Sequence, residues 1–311
     1  MAAIITPTLA GGTFDAIFTE CRHSSVLTLV NPSQLRLFYL DTINGLFDYS
    51  RLEEFILDSL GDYVFSRAEI EEYEQQGKSR SIGLHALRRL RENQNAGQAG
   101  SGSDLGEILL YVFLERILGA PKIMSKIELT RTGGAQPSRC DAIHLQPPNP
   151  TGHLPYNTIV FGTSEIVDDI HYAIDDAFDR IEQIQTNQRN EILMAENTAF
   201  EQTFDDQTTR HIKDLLIPKK GGSIKRNVGY GIFLGYKLGL NPAHYSADIF
   251  DQQLTMKMQL DIATHAELIM RKINDLNLAN HSFYIYVVPL NLPLQDRIDI
   301  MDHVLNLGGQ P

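Results

Sequence analysis

The sequence predicts an α/β fold with some α+β character, on three observations. Residues 106–182 read as a helix, three short strands and a second helix. Two further apolar runs, LRLFYL at 35–40 and FYIYVVPL at 283–290, read as strands, the latter a buried one. Mostly helical patterns fill 51–91, 251–274 and 294–307.

In chain order, residues 1–50 mix VLTLV at 26–30 and LRLFYL at 35–40 with polar turns, which predicts strands or an edge motif. From Arg51 to Arg91 come LEEFILDSLGDYV, SRAEIEEYEQQ and SIGLHALRRLRE, all helical in pattern, with Ser66 and Glu69 spaced as a capping box. Lys78, Arg80, Arg88, Arg89 and Arg91 form a basic patch, which suits a solvated helix face as well as a nucleic-acid contact. ENQNAGQAGSGSD at 92–104 holds no apolar residue larger than alanine and reads as a mobile loop or seam, with Ser103 or Asp104 capping the next helix. The division expected is an N-terminal α/β region (1–92), a linker or loop (93–104) and a core with a C-terminal extension (105–311).

Leu105, Ile108, Leu109, Val112 and Leu114 predict a strongly packed helix, stopped by Gly119 and Pro121. Ile127–Thr130, Ala142–Leu145 and Thr158–Phe161 predict strands. A helix is expected directly after Gly162, with Ile166, Ile170, Ala173, Ile174, Ala177, Phe178 and Ile181 on one stripe. Its other faces carry Asp168, Asp169, Asp175, Asp176, Asp179 and Glu182, a solvated surface or a docking face for a basic partner. Polar, helical sequence continues over 183–218. The segment KKGGSIKR follows, and its Lys219, Lys220, Lys225 and Arg226 are the best local candidates for touching a phosphate backbone.

Composition narrows the function classes. With 311 residues and a formal net charge of −12, the chain is not expected to grip duplex DNA nonspecifically by itself, because that affinity comes from lysine and arginine. Cys21 and Cys140 suggest neither a disulfide framework nor zinc-ligand spacing. No signal-like start and no membrane-length apolar run are evident, so a reducing, cytoplasmic setting is expected.

The candidate chemistry lies near the strand ends. Phosphodiester hydrolysis by a metal needs carboxylates converging on one point to hold Mg²⁺ and orient a water, often with a lysine to stabilise charge. Glu107 early in the first helix, Asp141 at the second strand and Glu165 after the third are the carboxylates; Lys126, at the start of the first strand, is the cation. Each also has a plain structural reading: helix-start charge for Glu107, turn capping for Asp141, a first-turn carboxylate for Glu165 and a strand-edge lysine for Lys126.

LGEILLYVFLERILGAPKIMSKIELTR, RCDAIHL and IHYAIDDAFDRIEQI, in this order and with the later YGIFLGYKLG and HSFYIYVVPL, resemble the nuclease-like subunit family of the Hachiman anti-phage defence system. The likeness runs from about residue 50 to 310. It implies a restriction-endonuclease-like core, a mixed sheet flanked by helices, with an additional N-terminal region. It further implies Mg²⁺, or Mn²⁺ in its place, DNA as substrate and a superfamily-2 helicase as partner, and leaves homo-oligomerisation open. By the resemblance, Glu107 matches the family's early helix glutamate and Asp141 its metal-binding aspartate. The family's Gly-Glu-x-Lys reads here Gly162-Thr163-Ser164-Glu165: threonine stands for the glutamate and glutamate for the lysine. Two outcomes follow: a rebuilt site, with Glu165 as carboxylate and Lys126 as cation, or an inactive nuclease-fold module that regulates the helicase or senses DNA.

Overall fold

The structure is a computed structural model, which describes residues 5–9, 14–31, 33–95, 103–130, 138–148, 154–203, 212 and 225–307. Its centre is a mixed seven-stranded sheet. The strands are β1 (Phe18–Cys21), β2 (Gln34–Leu40), β5 (Lys122–Ser125), β6 (Ala142–Gln146), β7 (Thr158–Ile166), β8 (Asn227–Lys237) and β9 (Ser282–Leu290), in the order β1-β2-β9-β8-β7-β6-β5. β2, β9, β8 and β7 run parallel, while β1 and the β6–β5 pair are antiparallel to their neighbours. β3 (Thr42–Ile43) and β4 (Leu46–Phe47) form a separate hairpin.

Central parallel strands are covered on both faces and are therefore apolar throughout. All nine residues of β9 are buried. On one face lies α4 (Ser103–Arg116), whose Phe113 packs on Phe233 and Tyr286, with α1 (Ser50–Val64) and α8 (Pro293–Leu307) beside it. The other face is covered by α6 (Ile170–Thr203), whose Phe178 stacks on Phe283, and α6 in turn touches α7 (Ala247–Asp275). This mixed sheet between helix layers is the restriction-endonuclease-like architecture.

α2 (Arg67–Gln75) opens with the expected capping box: Ser66 Oγ accepts from Glu69 N–H while the Glu69 carboxylate accepts from Ser66 N–H. α3 (Ile82–Asn95) then packs on α1. Arg89, from the basic patch, lies 4.2 Å from the Phe65 ring and pairs with Glu69 at 2.9 Å, so part of that patch serves the local fold. Residues 96–102, most of the expected linker, lie outside the described residues. β2 joins the sheet beside β9, so strands from before and after that linker share one sheet.

Three expectations are corrected. VLTLV at 26–30 is not a strand: Val26 and Val30 are exposed, and no ladder forms on this segment. Ile127–Thr130 is helical rather than extended; the strand precedes it as β5, and α5 (Lys126–Thr130) follows. The reason is a second capping box, in which Ser125 Oγ accepts from Glu128 N–H and the Glu128 carboxylate accepts from Ser125 N–H at 2.8 Å. Lys126 therefore opens a helix, not a strand. Third, no helix starts at Gly162. β7 runs on to Ile166, paired with β8 to the end, and α6 begins at Ile170, where Asp169 Oδ1 accepts from His171 N–H. Gly162 is glycine because Leu110 of α4 presses on it; a Cβ there would sit 2.7 Å from Leu110 Cδ2. The glycine marks close helix–sheet packing, not a chain break.

No helix among the described residues is long and apolar enough to cross a membrane.

Candidate active site

Antiparallel pairing of β6 with β7 sets the site. Ala142 faces Gly162, so Asp141, just before β6, lies level with the last residues of β7. Asp141 N–H donates to Gly162 O at 2.9 Å, fixing its backbone. α4 crosses the same end, with Gly106 against Ser164, and brings Glu107 in. A pocket of about 70 Å³ results, lined among others by Glu107, Asp141, Ser164, Glu165, Arg180 and Arg297. The structure thus brings the three expected carboxylates to one pocket.

Lys126 reaches the same place from α5. Its Nζ lies 3.3 Å from Asp141 Oδ1 and donates to the carbonyls of Ser138 and Cys140 at 3.2 and 3.1 Å. Burial alone would lower the Lys126 pKa, but Asp141 and Glu107 outweigh it and raise it above the ordinary lysine value. The segment carrying Asp141 is tied to α6 by buried Glu191, which accepts from Ser138 Oγ at 2.5 Å and Arg139 N–H at 2.7 Å.

Arg180 of α6 is the residue sequence reasoning missed. Its Nε donates to Glu165 Oε1 at 2.8 Å and its Nη1 lies 3.4 Å from Asp141 Oδ1. One signal was available: between Arg139 and Arg189 it is the sole lysine or arginine, set among Asp175, Asp176, Asp179 and Glu182. Of the acidic residues on that stretch, Asp168, Asp169, Asp176, Asp179 and Glu182 are exposed, as a solvated face would be, while Asp175 pairs with Lys272 at 2.6 Å.

The donor set does not fit a divalent cation. Asp141 Oδ2 accepts from Ser164 N–H at 2.8 Å and Ser164 Oγ at 3.0 Å, and Oδ1 faces Lys126 and Arg180. Glu165 is turned onto Arg180. Glu107 Oε2 accepts from Tyr63 Oη at 3.0 Å, and burial, then Asp141, push the Glu107 carboxyl well above its ordinary range, toward the neutral form. Among the described residues no three His, Cys, Asp or Glu side chains are arranged to hold a metal ion. The expected ligand set of Glu107, Asp141 and Glu165 shares a pocket without converging, because a guanidinium takes up two of its carboxylates. Thr163, expected at the position of the family's glutamate, is fully buried, and its hydroxyl oxygen has no hydrogen-bond partner among the described residues.

Of the expected basic cluster, the two described members, Lys225 and Arg226, are not at this pocket. Lys219 and Lys220 lie outside the described residues. Lys225 and half-buried Arg226 precede β8, whose first residue pairs with Thr158. From Thr158 to Glu165 a strand advances about 23 Å, so these two cations sit at the opposite end of the sheet. Lys225 Nζ instead lies 5.6 Å from the Tyr156 ring, and burial lowers the Arg226 pKa.

Burial raises Glu165 to about 7, Arg180 opposing and Asp141 and Asp176 adding to the shift. A carboxyl raised from 4.5 binds its proton more tightly folded than unfolded, so its contribution falls as pH rises through the window from 4.5 to 7. The full swing is on the order of 3 kcal/mol. Glu165→Gln is expected to flatten this part of the pH–stability curve, which urea midpoints at pH 5 and pH 8 would show; an unchanged slope would refute it.

No curated protein matches the chain. A sequence model of the HamA family matches residues 15–304, nearly the whole length. Matched over nearly its whole length, this chain belongs to the HamA family, that of the Hachiman nuclease-like subunit.

Proposed function

We propose that this chain works in the bacterial cytoplasm as the nuclease-like subunit of an anti-phage defence complex, beside a superfamily-2 helicase acting on DNA. In this role it controls the helicase or senses DNA, and does not hydrolyse it. The observation that carries this reading is the Arg180 bridge, which occupies Asp141 and Glu165 together. Thr163 adds to it, because a threonine hydroxyl is a poor substitute for a carboxylate on a hard divalent cation. The net charge of −12 also suits a subunit brought to DNA by its partner.

A second reading, phosphodiester hydrolysis dependent on Mg²⁺ or Mn²⁺, is favoured by one observation: Glu107, Asp141 and Glu165 line a single pocket with Lys126 beside it. One experiment separates the two. The chain is combined with a superfamily-2 helicase of the proposed partner class, ATP and either cation, and offered single-stranded, duplex and nicked DNA. Helicase ATPase and DNA affinity are read in parallel. The expected result is altered ATPase or affinity without cleavage. Cleavage lost in both Asp141→Asn and Glu165→Gln would establish the hydrolytic reading instead.

A further inference from the structure

We infer that Arg180 is the built-in counter-cation of this pocket, a positioning residue that holds Asp141 and Glu165 as a divalent ion would and thereby excludes one. The inference rests on, and deepens, the reading of the site as non-hydrolytic.

Three separate elements meet at the guanidinium. Asp141 comes from the start of β6, Glu165 from the end of β7 and Arg180 from α6. Nε and Nη1 address different carboxylates, at 2.8 and 3.4 Å, so a single planar group spans the gap between the strands. Lys126 lies 3.3 Å from the free side of Asp141 Oδ1. Arg180 and Lys126 bring two positive charges against the two negative charges of Asp141 and Glu165. A divalent ion would have the same total, so adding one places a double charge beside two fixed cations, with only Glu107, held by Tyr63, outside the bridge. Coulomb repulsion at such range is strong wherever solvent is partly excluded, and Asp141 and Glu165 are only 2% and 14% exposed.

The chain's departure from the family signature fits this arrangement. Glutamate at position 165 supplies a carboxylate where the family has lysine, and Arg180 supplies the cation from a different element. The cation here comes from α6 and ties that helix to the sheet. The Arg180 side chain is 43% exposed, so its head reaches the pocket from solvent and can be truncated without opening the core.

The test is Mn²⁺ binding at pH 8 to the full chain, by titration calorimetry and by loss of the free-ion paramagnetic resonance signal. Wild type, Arg180→Met, Arg180→Gln and Arg180→Met/Asp141→Asn are compared, each checked for folding by circular dichroism. Expected is negligible binding by wild type and one ion per chain in Arg180→Met, tighter by at least about tenfold, abolished in the double variant. Arg180→Gln should behave like Arg180→Met and carries the test if the methionine variant does not fold. Wild-type binding as tight as the variant's would overturn the inference, as would a folded variant that binds no ion. Either result leaves the helicase measurements untouched, and an absent helicase effect leaves these binding results standing.

Discussion

Lys122→Ala is expected to lower stability by about 3–5 kcal/mol, the range for removing one partner of a buried ion pair. Lys122 is 2% exposed and its Nζ donates to the carbonyls of Asp62, Tyr63 and Phe65 at 2.7, 3.0 and 2.8 Å. Asp62 and Tyr63 are in the last turn of α1, whose carbonyls lack helical donors, and Phe65 is the residue that follows the helix. The same ammonium lies 3.1 Å from Glu128 Oε2, itself 6% exposed, which also holds Ser125 N–H in the box that starts α5. One side chain thus finishes one helix and neutralises the carboxylate that begins another. Lys122→Met, which keeps the stem volume, should fall nearly as far, because the carbonyls and the Glu128 charge are stranded in both. Lys122→Met/Glu128→Gln should recover part of the loss by removing the unpaired charge. Urea unfolding of the three variants decides it; a Lys122→Met protein within about 1 kcal/mol of wild type would show that packing, not polar satisfaction, is what Lys122 supplies.

The elements with strong local signals were legible. The packed helix ending before Gly119, the box at Ser66 and Glu69, and the apolar strand at 283–290 all stand where their patterns place them. The block order around Glu107 and Asp141 was enough to reach the family and its mixed sheet. Errors arose where a local pattern has two uses. KIELT alternates well enough for a strand, yet Ser125 and Glu128 stand at capping-box spacing, and the box wins because the buried Lys122–Glu128 pair supports it. Gly162 looks like a turn residue in one dimension; only the packing of α4 shows that it makes room for Leu110. The isolation of Arg180 among acidic residues was visible in the sequence, but its partners were not, for a different reason. Arg180 lies 39 residues from Asp141, and its facing depends on where α6 begins, which the strand's true length decides. Lys225 and Arg226 show a related point, since nearness in sequence to an apolar strand says nothing about which end of the sheet a residue reaches.

Asp141 carries the second large effect, and it bears on how any activity result is read. Asp141→Ala is expected to cost about 3 kcal/mol before any chemistry is considered. Truncation strands Ser164 N–H and its hydroxyl, both of which donate to Oδ2 and are buried. It also deprives Lys126, 15% exposed, of its nearest counter-charge, and relieves Arg180 of one of its two carboxylates. Asp141→Asn keeps the shape and one oxygen acceptor for Ser164 while removing the charge, so it should cost roughly half as much. The two variants therefore separate folding from function. Loss of DNA cleavage, or of an effect on the helicase, in Asp141→Ala alone follows from a weakened strand end. The same loss in Asp141→Asn, at a temperature where its unfolding curve still shows a native population, assigns the effect to the Asp141 charge. Urea curves for both beside wild type come first; equal stability of all three would show that the ion pairs around Asp141 contribute nothing net and that its burial is tolerated, not used.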